Sequence, residues 1–116
     1  MKINRLAGAA GLALLLAACG SGVTAPSVVQ GTWGADCSHP EVKFDGGQLT
    51  VFADDKTYDL KSAALDNGAL TVAYDSAAGP VTEVYAFDGQ SLRMDHGVYN
   101  GASVQWEKAP MSKCSS

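Results

Sequence analysis

The chain reads as all-β, a small antiparallel meander barrel of about eight short strands, closed or half-open. Three observations predict it. Apolar and polar residues alternate with period two from Val28 onward, as in strands with one buried face. Turn signals recur about every eleven residues, the spacing of short strands joined by hairpins. Beyond residue 27 there is no helical repeat, and 62–65 is the only place left for a short helical turn.

The elements follow in order. Val29, Gly31 and Trp33 share one face of a first strand over 28–34, which Asp36-Cys37-Ser38-His39-Pro40 breaks. Val42 and Phe44 lie inward on 41–45, and Asp45-Gly46-Gly47-Gln48 turns into 48–53 with Leu49, Val51 and Ala53 inward. Asp54-Asp55-Lys56 leads into 56–62, where Tyr58 and Leu60 face the core. Asn67-Gly68 is a strong hairpin signal, because a type I′ turn needs positive φ at both central residues. Leu70, Val72 and Tyr74 follow on 69–75, then Ala78-Gly79-Pro80, then a run over 81–87 ending at Asp88-Gly89. Leu92 and Met94 alternate with Arg93 and Asp95 on 90–95; 96–101 reads as a loop; Val104 and Trp106 alternate with Gln105 and Glu107 on 102–108. Closing such a meander removes its exposed edges. Strands this short are expected to enclose an interior just wide enough for side chains, the bulk coming from Trp33, Phe44, Tyr58, Tyr74, Phe87 and Trp106.

Upstream lies a different kind of segment. Lys2 and Arg5 precede an apolar run over 6–18 that ends in small residues. That is the pattern of a secretory signal peptide, and the run is shorter than the roughly 20 residues a bilayer span needs. Leu16-Ala17-Ala18-Cys19 resembles the lipobox of bacterial lipoproteins at every position. The resemblance implies a signal peptide over 1–18, a diacylglycerol thioether on Cys19, cleavage before it and N-acylation (palmitate-type chains) of the new terminus. Gly20 stands where an Asp would favour inner-membrane retention, so by the same resemblance the anchor is expected in the outer membrane, with the domain in the periplasm or on the cell surface. Residues 20–27 read as a flexible tether reaching roughly 27 Å, and 28–116 as the single folded domain.

Charge and cysteines narrow the function. Loss of Lys2 and Arg5 leaves six Lys/Arg against twelve Asp/Glu, a formal charge of −6, which argues against nucleic acid and fits a basic partner or plain solubility. With Cys19 lipidated, Cys37 and Cys114 are an even pair in an oxidising compartment and read as a disulfide. Asp36, Ser38 and His39 flank Cys37, but sequence neighbours are not triad neighbours, and no catalytic residue is assigned. Pairing Cys37 with Cys114 poses a parity problem: strand one ends at one end of a strict meander and strand eight at the other. Either residues 109–113 run back along the barrel or one of the eight strands lies outside the sheet.

His39 and His96 lack a second ligand at metal spacing, and the Asp-rich turns lack Ca²⁺-loop spacing, so no metal or cofactor is expected. The expected loop at 96–101 is the favoured contact surface.

Two resemblances bear on function. Gly31-Thr32-Trp33 is similar to the G-x-W of lipocalins, eight-strand meanders with a ligand cavity, although their Thr-Asp-Tyr motif and late Arg are missing here. Cys37, Val42-Lys43-Phe44, Val51, Tyr58-Asp59-Leu60-Lys61, Trp106-Glu107-Lys108 and Cys114 resemble, in order and spacing, the membrane-bound inhibitors of c-type lysozyme. That second resemblance implies a basic protein partner met by Lys108 and by the loop of Tyr99, where Gly97-Val98-Tyr99 is one residue short of the family's Ser-Gly-x-x-Tyr. The expectation is therefore a non-enzymatic, membrane-anchored barrel that binds a protein such as lysozyme. The alternatives are a lipocalin-like carrier of a small ligand and a structural envelope protein. A cavity of roughly 300 Å³ or more would favour the carrier; a filled core would favour the protein partner.

Overall fold

Period-two alternation becomes strand along most of residues 22–115, the part of the chain that the computed structural model describes. Nine strands form: β1 Gly31–Gly34, β2 Val42–Asp45, β3 Gln48–Val51, β4 Lys56–Asp66, β5 Ala69–Ser76, β6 Gly79–Phe87, β7 Ser91–Tyr99, β8 Ala102–Gln105 and β9 Met111–Ser115. Each of β1 to β7 pairs antiparallel with the next, and β9 pairs with both β7 and β1, so eight strands close into a barrel. The extra strand, β8, pairs with 96–99 of β7, while β9 takes Ser91 and Leu92 lower on the same strand. The expected eighth strand over 102–108 thus stops at Gln105, and the ring is closed instead by β9, over 111–115.

Two expectations are corrected here, for one physical reason. Residues 62–65 and 96–99 are strand, not helical turn or loop. Each follows a β-bulge. Lys61 is skipped between the pairs Leu60↔Tyr74 and Ser62↔Ala73, and Asp95 between Met94↔Tyr85 and His96↔Val84. One extra residue shifts the inward face by one position. The apolar pattern therefore moves from Tyr58 and Leu60 to Ala63 and Leu65, and from Leu92 and Met94 to Gly97 and Tyr99. Only Asn100-Gly101 remains as a turn, with φ of 50° and 87°, closely matching Asn67-Gly68 at 52° and 77°.

The parity problem dissolves in the stagger of the strands. β1 and β7 run in the same direction, each antiparallel to β9. Yet Gly34, the last residue of β1, is level with Ser112, which is level with Ser91, the first residue of β7. Tilted, sheared strands bring the end of one element beside the start of another. Cys37 then meets Cys114 without a returning tail: Sγ–Sγ is 2.01 Å and Cα–Cα 5.5 Å.

One end of the barrel is packed solid. Val29, Trp33, Phe44, Leu49, Leu60, Leu70, Val72, Tyr85 and Leu92 are all fully buried, with Phe44 edge-on to Tyr85 and Trp33 edge-on to Phe87. The segment before β1 plugs this end. Ser27–Val29 is a single 3₁₀ turn, and Trp33 Nε1 donates to the Val29 carbonyl at 2.8 Å. Gln30 donates to the Ala25 and Gly46 carbonyls and accepts from the Gly46 amide. Ala25 is 2% exposed, so the last residues of the expected tether over 20–27 are part of the folded body. The first strand accordingly starts at Gly31 rather than at residue 28.

Candidate functional site

The other end is open, and the expectation of an interior filled by side chains is corrected there. A cavity of about 860 Å³ opens between the β1–β2, β3–β4 and β5–β6 connections. Barrel radius is linked to shear as well as to strand number, and the stagger of β1 against β7 is a relation that strand lengths alone do not carry. The walls are mainly apolar and aromatic: Val42, Val51, Val81, Met94, Tyr58 and Trp106 among them.

One buried acidic side chain sits in this wall. Glu83 follows the period-two pattern of β6, between Val81 and Tyr85 on the inward face, and is only 4% exposed. Its Oε1 accepts from the Tyr85 hydroxyl at 3.0 Å, and its Oε2 accepts from the Tyr99 hydroxyl at 2.7 Å. Tyr74, also on the cavity wall, stacks on Tyr58 with ring centroids 4.5 Å apart. Tyr99 in turn accepts from Trp106 Nε1 at 2.9 Å, and the two rings meet edge-on at 6.0 Å. A chain of donors thus runs from the indole at the mouth to the buried carboxylate. Glycine makes room for it: a Cβ on Gly97 would meet the Tyr99 ring at 2.7 Å.

Electrostatics follow from this burial. Desolvation pushes the Glu83 carboxyl above the ordinary range, opposed by the hydrogen bonds from Tyr99 and Tyr85. Burial, then the Glu83 charge, raises Tyr74 and Tyr85; burial, then the hydrogen bond to Glu83, raises Tyr99. The phenols therefore stay protonated as donors. Among the described residues no Lys, Arg or His pairs with Glu83.

A carboxyl whose pKa is raised by folding contributes stability that is fully present below its unfolded value, near 4.5, and lost as pH rises through the folded value. Glu83→Gln is accordingly expected to melt with the wild type at pH 4 and above it at pH 8. Melts across that range check this; a gap that widens toward acid would contradict the assignment.

The residues singled out in the sequence fall as follows. Tyr99 and Lys108 both reach the cavity, Tyr99 from the inner wall and Lys108 from the mouth. There Lys108 Nζ lies 5.8 Å from the Trp106 ring centroid and 3.9 Å from Glu41 Oε1. Cys37 and Cys114 staple the β1–β2 connection, one lip of the opening, to β9. His39 pairs with Asp36 on that lip, whereas His96 pairs with Asp95 at the β7 bulge. Cys19 lies outside the described residues. Among the described residues no group of three His, Cys, Asp or Glu is placed to hold a metal.

The sequence reading missed Glu83. Its signal was parity alone, since it shares a face with Val81 and Tyr85. Comparison with protein-family models, with curated proteins and with solved structures returned no significant match.

Proposed function

We propose that the chain is a lipid-anchored envelope protein whose barrel carries a small, largely apolar ligand. The observation that carries this reading is the cavity of about 860 Å³, well inside the range of small-molecule sites, with apolar walls and a few convergent polar groups. The expected contact loop, which favoured a protein partner, is instead strand up to Tyr99. The lipocalin-like Gly31-Thr32-Trp33 stands at the start of an eight-strand ring with a cavity, the setting that resemblance implied. The reading assigns no reaction to the barrel. The direct test is titration of N-phenyl-1-naphthylamine, a neutral fluorescent probe, into the full chain carrying Cys19→Ser, so that no acyl chain or detergent competes. Saturable binding at one site per chain supports the carrier reading; linear, non-saturating fluorescence counts against it.

The anchor has its own test. Two or three acyl chains hold a protein at a membrane far better than one. Cys19→Ser is expected to abolish lipid labelling and move the protein to the soluble fraction while the barrel still folds. Retention on membranes after a high-salt wash would overturn the lipobox assignment.

One observation favours a second reading, in which the mouth meets a basic protein. Lys108 stands about half exposed at the rim, where an ammonium could enter the acidic cleft of a c-type lysozyme. Inhibition by the wild type that Lys108→Ala weakens would support it; an unaffected enzyme at tens of micromolar inhibitor would dismiss it.

A further inference from the structure

The cavity's polar groups say what kind of ligand would complete it. Resting on the carrier reading, we infer that the ligand is an apolar molecule bearing a protonated amine, with its ammonium held by Glu83 and enclosed by the tyrosine and tryptophan rings around it.

Three features lead there. The first is an unbalanced charge. Glu83 is 4% exposed, lines the cavity and has no cationic partner among the described residues. Burying a carboxylate without a counter-charge costs stability. Glutamine would fill the same space without that cost, so the acid is kept at a penalty that a cationic ligand offsets. The second is hydrogen-bond capacity. An ionised carboxylate has about four acceptor sites, and Tyr85 and Tyr99 occupy two. These phenols are donors already committed to Glu83. What the cluster still lacks is a further donor, not an acceptor. The third is the wall. Tyr58, Tyr74, Tyr99 and Trp106 line the path to Glu83, and aromatic faces attract ammonium groups. The protein's own Lys108 already sits over the Trp106 indole at the mouth.

The remaining charges around the opening point the same way. Asp54 and Glu41 line it from the β3–β4 and β1–β2 connections, and the one lysine among the lining residues, Lys108, faces Glu41. A carboxylate ligand would meet Glu83 with like charge. A neutral alcohol could donate to it but would leave its charge uncompensated. The ammonium does both jobs.

The test compares three ligands of one chain length, octylamine, octanol and octanoate, by calorimetric titration into the full chain carrying Cys19→Ser. A charge-assisted hydrogen bond predicts octylamine binding about tenfold or more tighter than octanol at pH 7, with octanoate weakest. Glu83→Gln is expected to erase that preference, bringing octylamine and octanol within about twofold of each other. Acidification acts in the same direction, as Glu83 takes up a proton among Tyr74, Tyr85, Tyr99 and Asp54. Octanol or octanoate binding the wild type as tightly as octylamine overturns the amine assignment, whatever the variant does. So does binding of the naphthylamine probe with no binding of octylamine; in both cases the carrier reading stands. Failure of every compound, probe included, removes the carrier reading itself.

Discussion

Replacing Cys37 and Cys114 together with alanine is expected to lower the stability of the domain by about 4 kcal/mol, on the chain-entropy account of cross-links. The two cysteines are 77 residues apart in sequence, so the bridge closes a long loop in the unfolded chain, which costs that chain more entropy than closing a short one. For a domain of this size the loss corresponds to a fall in melting temperature on the order of 20 °C. Reductant added to the wild type should reproduce it. The structural consequence is local as well as global. Cys37 belongs to the β1–β2 connection, whose residues from Ser38 to Glu41 form a lip of the cavity, and Cys114 belongs to β9, which closes the barrel. A loss below about 1 kcal/mol would mean that β9 holds its place between β1 and β7 without the bridge, and that the unfolded state is already restricted.

Trp33→Ala is the second large effect, expected to cost about 3–5 kcal/mol. Trp33 is 1% exposed, packs edge-on against Phe87, donates to the Val29 carbonyl and lies under Lys113 Nζ at 5.4 Å. It thereby ties the plug before β1 to the closed end of the barrel and to the seam strand β9. Trp33→Phe keeps an aromatic ring but strands the Val29 carbonyl, and should cost about 1–2 kcal/mol. Chemical denaturation of the three proteins separates these terms. Since Trp33 is absent from the cavity wall, Trp33→Phe should bind the naphthylamine probe as the wild type does. Equal stability of Trp33→Ala and wild type would mean that the closed end is not the core it is described as.

Much of this barrel was legible in the alternation of residues. Val42, Phe44, Leu49, Leu70, Val72 and Leu92 were placed inward from period two and are buried, and Asn67-Gly68 formed the hairpin its φ preference requires. The errors share a cause. Alternation gives the direction of a side chain only while register holds, and the bulges at Lys61 and Asp95 break it. The same Asn-Gly logic applied at Asn100-Gly101 would have shown that β7 continues to Tyr99. The cavity was not legible at all. Strand lengths can be read from turns, but shear is a relation between strands distant in sequence, here Gly34 against Ser91 through Ser112, and radius is linked to shear. Glu83 lay between these cases: its parity pointed inward, yet a glutamate between Thr82 and Val84 looks like ordinary strand surface until the neighbouring tyrosines are known to converge on it.

Methyl NMR during titration with N-phenyl-1-naphthylamine distinguishes a ligand that enters the barrel from one that adheres to its outside. Val42, Val51, Val81, Met94 and Met111 line the cavity, whereas Val28 and Val98 are exposed and do not. Saturable shifts of the first group are expected at one probe per chain, with Val28 and Val98 unmoved. Shifts confined to Val28 and Val98, or none that saturate, would contradict it.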